Sequence, residues 1–141
     1  MKSILSKTSE HTFNLGQTLG QQISSSISIA LDGELGSGKT TFTQGLAKGL
    51  GVSDKYIITS PSFTLINEYP AGPFTLYHLD LYRLSSYDEL CYIGFEELLE
   101  KNSIIVVEWP QILKDDNFPF DLDIRFQFDA DYNRIIMIQD S

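Results

Sequence analysis

The chain has 141 residues, 42% of them hydrophobic and 12% aromatic, which makes one domain with one packed core, residues 1–141, the expectation. Residues 1–79 carry five acids and five bases while residues 80–141 carry fourteen acids and five bases, so the second half holds the whole net charge of −9; that balance, with a pI near 4.5, excludes the basic surface that direct gripping of nucleic acid requires. A single cysteine excludes an internal disulfide, the longest apolar run (Ile104–Val107) is far short of a membrane span, and the first residues lack the apolar stretch of a secretory signal, so a cytoplasmic location without membrane contact is expected.

In chain order, Ser9 caps a predicted helix running to about Ile23, with Phe13, Leu15, Leu19 and Ile23 at near-helical spacing. Ser26–Leu31 alternates as a strand, and the glycine-rich stretch LDGELGSGKTT follows at once. Thr41–Leu50 then forms a helix that Gly51 stops. Phe63–Tyr69 and Phe74–Leu81 make two strands around Pro70-Ala71-Gly72-Pro73, antiparallel because a parallel crossover needs a longer connection. Tyr87–Glu100 is helical with a break near Gly94, and Ile104–Val107 is apolar on both faces, as a central strand should be. Leu122–Phe128 and Arg134–Ile138 close the chain as a second hairpin. The predicted fold is a three-layer α/β, P-loop NTPase-like domain whose mixed sheet carries antiparallel strands.

Gly33–Thr40 fits the phosphate-binding pattern G-x-x-x-x-G-K-S/T, between a strand and a helix as that pattern requires. Gly33, Gly36 and Gly38 let successive N–H groups turn inward, and the helix presents its positive end to phosphate. The nucleotide-binding set is Glu34, Leu35, Gly36, Ser37, Gly38, Lys39, Thr40 and Thr41, with Lys39 on the β- and γ-phosphates and Thr40 on Mg²⁺. Glu108, directly after Ile104–Val107, stands where a metal-binding carboxylate belongs in this fold. Asp80 shares a strand face with Leu76 and His78; it either orients water or supports the metal shell, or else pairs with Arg83. His78 reads as a packing or hydrogen-bonding residue. Ser60, Ser62 and Thr64 offer hydroxyls that either sense a terminal phosphate or form a turn. Trp109 either packs in the core, anchors Glu108 or meets a partner. The loop alone is equally compatible with a small-molecule kinase or a guanine-nucleotide switch. Arg83, Arg125 and Arg134 are few for a kinase clamp, and Lys114-Asp115-Asp116 lacks the Asn that begins a guanine reader.

In combination, GELGSGKTT (33–41), TSPSFTLINEY (59–69), LYHLDLYR (76–83) and VVEWP (106–110) resemble the TsaE family, the small bacterial ATPases of tRNA threonylcarbamoyladenosine synthesis. The resemblance covers nearly the whole chain. It implies that ATP and Mg²⁺ are bound and that ATP is hydrolysed weakly by the chain alone. It further implies that hydrolysis supports cycling of a complex with TsaD and TsaB, of which TsaD performs the transfer. tRNA would be met only through those partners, which suits the acidic charge. On the family pattern Lys39, Asp80 and Glu108 form the catalytic set, Thr40 and Glu108 hold the metal, and Arg134 lies beside the nucleotide. Ser62 departs from the family's usual Thr but keeps a hydroxyl.

Overall fold

The computed structural model describes residues 2–99 and 102–140. In chain order the elements are β1 (Lys2–Ser6), α1 (Ser9–Gln22), β2 (Ile27–Gly33), α2 (Lys39–Leu50), β3 (Ile66–Ala71) and β4 (Phe74–Asp80). They continue with α3 (Tyr87–Tyr92), α4 (Phe95–Leu98), β5 (Ser103–Glu108), α5 (Gln111–Asp115), β6 (Leu122–Phe128) and β7 (Arg134–Asp140). All seven strands join one sheet in the order β1-β7-β6-β2-β5-β4-β3. The middle four, β6, β2, β5 and β4, run parallel. β3 pairs antiparallel with β4, β7 with β6, and β1 with β7, so both expected hairpins are present at the flanks. Among the described residues no helix is long and apolar enough to cross a membrane.

The alternation of the strands sorts the core into two layers. Ile29 and Leu31 of β2, Leu76 of β4 and Ile104 and Val106 of β5 pack with Phe42 and Leu46 of α2. Their neighbours Ala30, Tyr77, Leu79, Ile105 and Val107 pack on the opposite face with Leu90, Phe95 and Leu113 from α3, α4 and α5. A sheet with helices on both faces is the expected three-layer arrangement. Every residue of β5 is buried, which explains its apolar character on both faces. The same alternation carries His78, Asp80 and Glu108 to the α2 face, where their strands end.

α1 and α2 approach backbone to backbone. A methyl group on Gly45 would lie 1.9 Å from the Phe13 carbonyl oxygen, and one on Gly16 would lie 2.2 Å from that of Phe42. Gly20 and Gly49 are equally closed, with opposing carbonyl oxygens at 2.4 and 2.2 Å. No side chain fits between these helices, so the four glycines set how closely α1 and α2 pack.

The differences from the predicted elements have local causes. Thr8, not Ser9, caps α1: its hydroxyl accepts a hydrogen bond from the His11 N–H at 3.0 Å. β3 begins at Ile66 rather than Phe63, because Leu65 (φ 67°) closes a turn through its N–H onto the Pro61 carbonyl. The break expected near Gly94 is present: at φ 91° that residue separates α3 from α4, and Glu100, the predicted end of the stretch, lies outside the described residues. β1 and α5 were not expected. Five residues at a sheet edge carry too little alternation to be read locally, and β1 is held by β7, from the far end of the chain.

Gly45→Ala should lower stability by about 3 kcal/mol or more, since the new methyl meets backbone and not a movable side chain. Gly51→Ala, at φ 93° with open space around it, should cost only about 1–2 kcal/mol of backbone strain. Chemical denaturation of the two variants checks the order, and equal losses would contradict the close helix contact.

Candidate functional site

β2 ends at Gly33 and α2 starts at Lys39, so five residues turn the chain at the edge of the core. Gly36 (φ 81°) and Gly38 (φ 107°) occupy the left-handed region that this turn needs. Gly33 is required for another reason: a methyl there would meet Ser37 Oγ at 2.7 Å and the Phe126 side chain at 2.9 Å. Gly38 caps α2 without any side-chain hydrogen bond. The N–H groups of the first turn are therefore left to an external acceptor, at the positive end of a 12-residue helix.

Lys39 is only 4% exposed. Its ammonium donates to the Gly33 carbonyl at 2.5 Å and lies 3.7 Å from the centroid of the Trp109 ring. Burial pulls its pKa below the ordinary lysine value, against the opposing pull of Glu108, Asp80 and Asp32. Thr40 donates its hydroxyl to Glu108 Oε2 at 3.4 Å, and His78 Nε2 lies 2.5 Å from the same oxygen. Asp80, buried like Glu108, is held differently. Its Oδ2 accepts from Ser60 Oγ and its Oδ1 from the Tyr82 N–H, both at 3.0 Å. Trp109 has φ 55°, a conformation a bulky residue rarely adopts, and its ring contacts that of Tyr82 at 4.9 Å.

These groups surround one cavity of about 400 Å³. Leu35, Gly36, Gly38, Lys39, Thr40 and Thr41 form its floor, and Asp80, Glu108, Trp109 and Arg134 stand around it. Arg134 arrives from β7 and donates to the Gly36 carbonyl at 3.3 Å. Of the predicted nucleotide set only Glu34 and Ser37 are off the wall: Glu34 is exposed, and the Ser37 hydroxyl is buried without a partner. Ser60 and Ser62 line the cavity, whereas Thr64 donates to Asn67 at 2.8 Å, away from it.

Arg83 does not pair with Asp80; it stacks on Phe63 at 4.3 Å from the ring centroid and lines the cavity mouth with Tyr82. Two of the three arginines thus reach the cavity, and Arg125 lies elsewhere, 3.8 Å from Asp123. Sequence reasoning missed the Ser60–Asp80 bond and Tyr82 as a wall. It had His78 on the correct strand face without its partner. Only the i, i+2 spacing of His78 and Asp80 carried a signal.

The uncapped helix end, the left-handed glycines and the converging Lys39, Thr40, Asp80 and Glu108 suit a polyphosphate with a hard divalent cation. Comparisons with known proteins agree on one family. The family model described as "Threonylcarbamoyl adenosine biosynthesis protein TsaE" matches residues 6–136. A protein of a Nostoc strain named tRNA threonylcarbamoyladenosine biosynthesis protein TsaE is 44% identical over 114 residues, covering 79% of this chain and 69% of that one. Its namesake in Treponema pallidum is 35% identical over 134 residues, covering 95% and 97%. A crystal structure of Bacillus subtilis YdiB superposes with a TM-score of 0.81 at 29% identity, covering 99% of this chain and 84% of that one.

The buried lysine carries a stability prediction. A cation whose folded pKa is lowered takes stability from the fold while protonated in both states. The loss fades as pH rises through the folded pKa toward the unfolded value of about 10.4. Lys39→Met should therefore melt at or above wild type at pH 7 without nucleotide, and the difference should shrink toward pH 10. A Tm well below wild type at pH 7 would show that the ammonium contacts outweigh its burial.

Proposed function

The chain belongs to the TsaE family and its role lies in tRNA threonylcarbamoyladenosine biosynthesis; on that footing we propose that it binds ATP with Mg²⁺ and hydrolyses the γ-phosphate bond to drive cycling of a partner complex. The observation that carries this is the convergence of Lys39, Thr40, Asp80 and Glu108 on one cavity at the uncapped N-terminus of α2.

In this scheme the N–H groups of the 34–41 loop and of the first turn of α2 bind the phosphates. Lys39 exchanges the Gly33 carbonyl for phosphate oxygens, its chain remaining under the Trp109 ring. Thr40 and Glu108, already within 3.4 Å of each other, hold Mg²⁺, which when bound neutralises charge on the phosphates. Thr40 and Glu108 are only two ligating groups, which suits a cation that would also be held by phosphate and water oxygens. Asp80, fixed by Ser60 and the Tyr82 N–H, orients the attacking water. Arg134, beside Gly36, borders the nucleotide.

The partners are TsaD-like and TsaB-like proteins, with TsaD performing the transfer; tRNA is met only through them, in keeping with the net charge of −9. Arg83 and Arg134 do not form a kinase clamp, since one stacks on Phe63 and the other binds the loop backbone. Phosphate is accordingly released to water and not to a metabolite.

Reconstitution tests the scheme. Lys39→Ala should reduce ATP affinity about 10–100-fold, the loss of one or two charge-assisted hydrogen bonds. Glu108→Ala should impair Mg²⁺-dependent binding more than binding in EDTA. Phosphate release should rise on adding the two partners and collapse in Asp80→Ala. A clear preference for GTP, or hydrolysis indifferent to the partners, would refute the reading.

A further inference from the structure

His78 is fully buried, and nothing in the scheme above uses it. An imidazole in an apolar layer is destabilising unless both ring nitrogens find partners. Here Nε2 lies 2.5 Å from Glu108 Oε2, while Nδ1 is sealed in without a hydrogen bond. A leucine would fill the same space without an orphaned nitrogen, so packing alone does not account for the residue.

The sheet register makes the pairing informative. Asp80 is the β4 residue opposite Glu108 of β5, and His78 is opposite Val106. The imidazole therefore reaches forward along the strand to meet Glu108, while Asp80 turns away to Ser60 and the Tyr82 N–H. Carboxylates directly opposite on neighbouring strands repel; giving each its own donors holds them apart. A carboxylate oxygen accepts, so Nε2 carries the hydrogen and donates. The Thr40 hydroxyl donates to the same Oε2. Both bonds to Glu108 thus fall on one oxygen, and Oε1 is the one left for a cation.

We infer that His78 is a positioning residue: its Nε2–H clamps Glu108 Oε2 so that the carboxylate offers Oε1 to Mg²⁺ beside Thr40. This rests on Glu108 being a metal ligand. Fixing a ligating carboxylate by a hydrogen bond to its second oxygen removes the rotamer freedom that cation binding would otherwise have to freeze.

The test is a Mg²⁺ titration of a fluorescent ADP analogue, N-methylanthraniloyl-ADP, on the full chain, with thermal unfolding as the folding control. His78→Leu and His78→Asn should raise the Mg²⁺ concentration at half-saturation by about 10-fold or more, while binding in EDTA stays within about twofold of wild type. His78→Gln should remain within about threefold, because the glutamine amide nitrogen reaches the place of Nε2 and the asparagine amide stops short. If His78→Leu does not fold, the Asn and Gln variants decide. Unchanged Mg²⁺ dependence in the Leu and Asn variants, a Gln variant as impaired as Asn, or equal losses in EDTA would each overturn the inference. Glu108→Ala in the same titration separates the two levels. If it shifts the Mg²⁺ dependence and the His78 variants do not, His78 alone loses its role; if it does not, the ligand assignment of Glu108 falls and this inference with it.

Discussion

In the parallel ladders of the sheet, Leu31 of β2 and Asp80 of β4 both stand opposite Glu108 of β5, so β4 and β5 end at one level while β2 runs two residues further, to Gly33, where the loop to α2 begins. Everything in the site hangs on that alignment. Side chains in a strand alternate strictly, and a slip of one residue between β4 and β5 would send His78 and Asp80 into the layer of α3 and α5. The buried alternation of Ile104, Val106 and Leu76 against Ile105, Val107 and Tyr77 prevents that slip. The glycine contacts between α1 and α2 complete the frame by packing α2, which begins with Lys39 and Thr40, closely against α1.

Two carboxylates and one ammonium are buried within that frame, and each is met by a specific group. Glu108 has His78 and Thr40, Asp80 has Ser60 and a backbone N–H, and Lys39 has a carbonyl and an aromatic face. Removing one partner from such a set leaves a charge stranded at a cost of several kcal/mol. The lowered pKa of Lys39 indicates that its contacts do not fully offset burial. A cation kept short of compensation is one that a polyphosphate can win over, and the ligand then returns the stability that the free protein forgoes.

Of the four non-glycine residues at positive φ among the described residues, Asn117 and Tyr132 stand in loops away from the cavity and the other two border its acids. Leu65 and Trp109, both at positive φ, follow the Ser60–Ser62 segment and Glu108 respectively. Each such conformation costs of order 1–3 kcal/mol and persists only where its surroundings over-determine it. Leu65 is held by its N–H bond to Pro61 and by accepting from the Asp80 N–H. Trp109 is held between Tyr82 and Lys39. The strained backbone keeps Ser60 against Asp80 and the indole over the lysine.

The glycine-rich loop between strand and helix, the two antiparallel hairpins and the apolar Ile104–Val107 run of β5 were legible in the sequence, because each is a local pattern: a run of glycines, a turn between alternating segments, a continuous apolar stretch. The order of those strands in the sheet was not, nor were the edge strand β1 and the short α5. For the site, Lys39, Thr40, Asp80 and Glu108 could be named from motif and strand-end position. Their partners could not. Thr40 and Glu108 are 68 residues apart, His78 and Glu108 30, and Arg134 and Gly36 98. Periodicity states which face of its own strand a side chain takes, and therefore determined that His78 and Asp80 share a face; that Glu108 of β5 joins their layer came from the pairing of β4 with β5. Which donor meets which oxygen depends on sheet order and register between distant segments, and only the assembled sheet decided that.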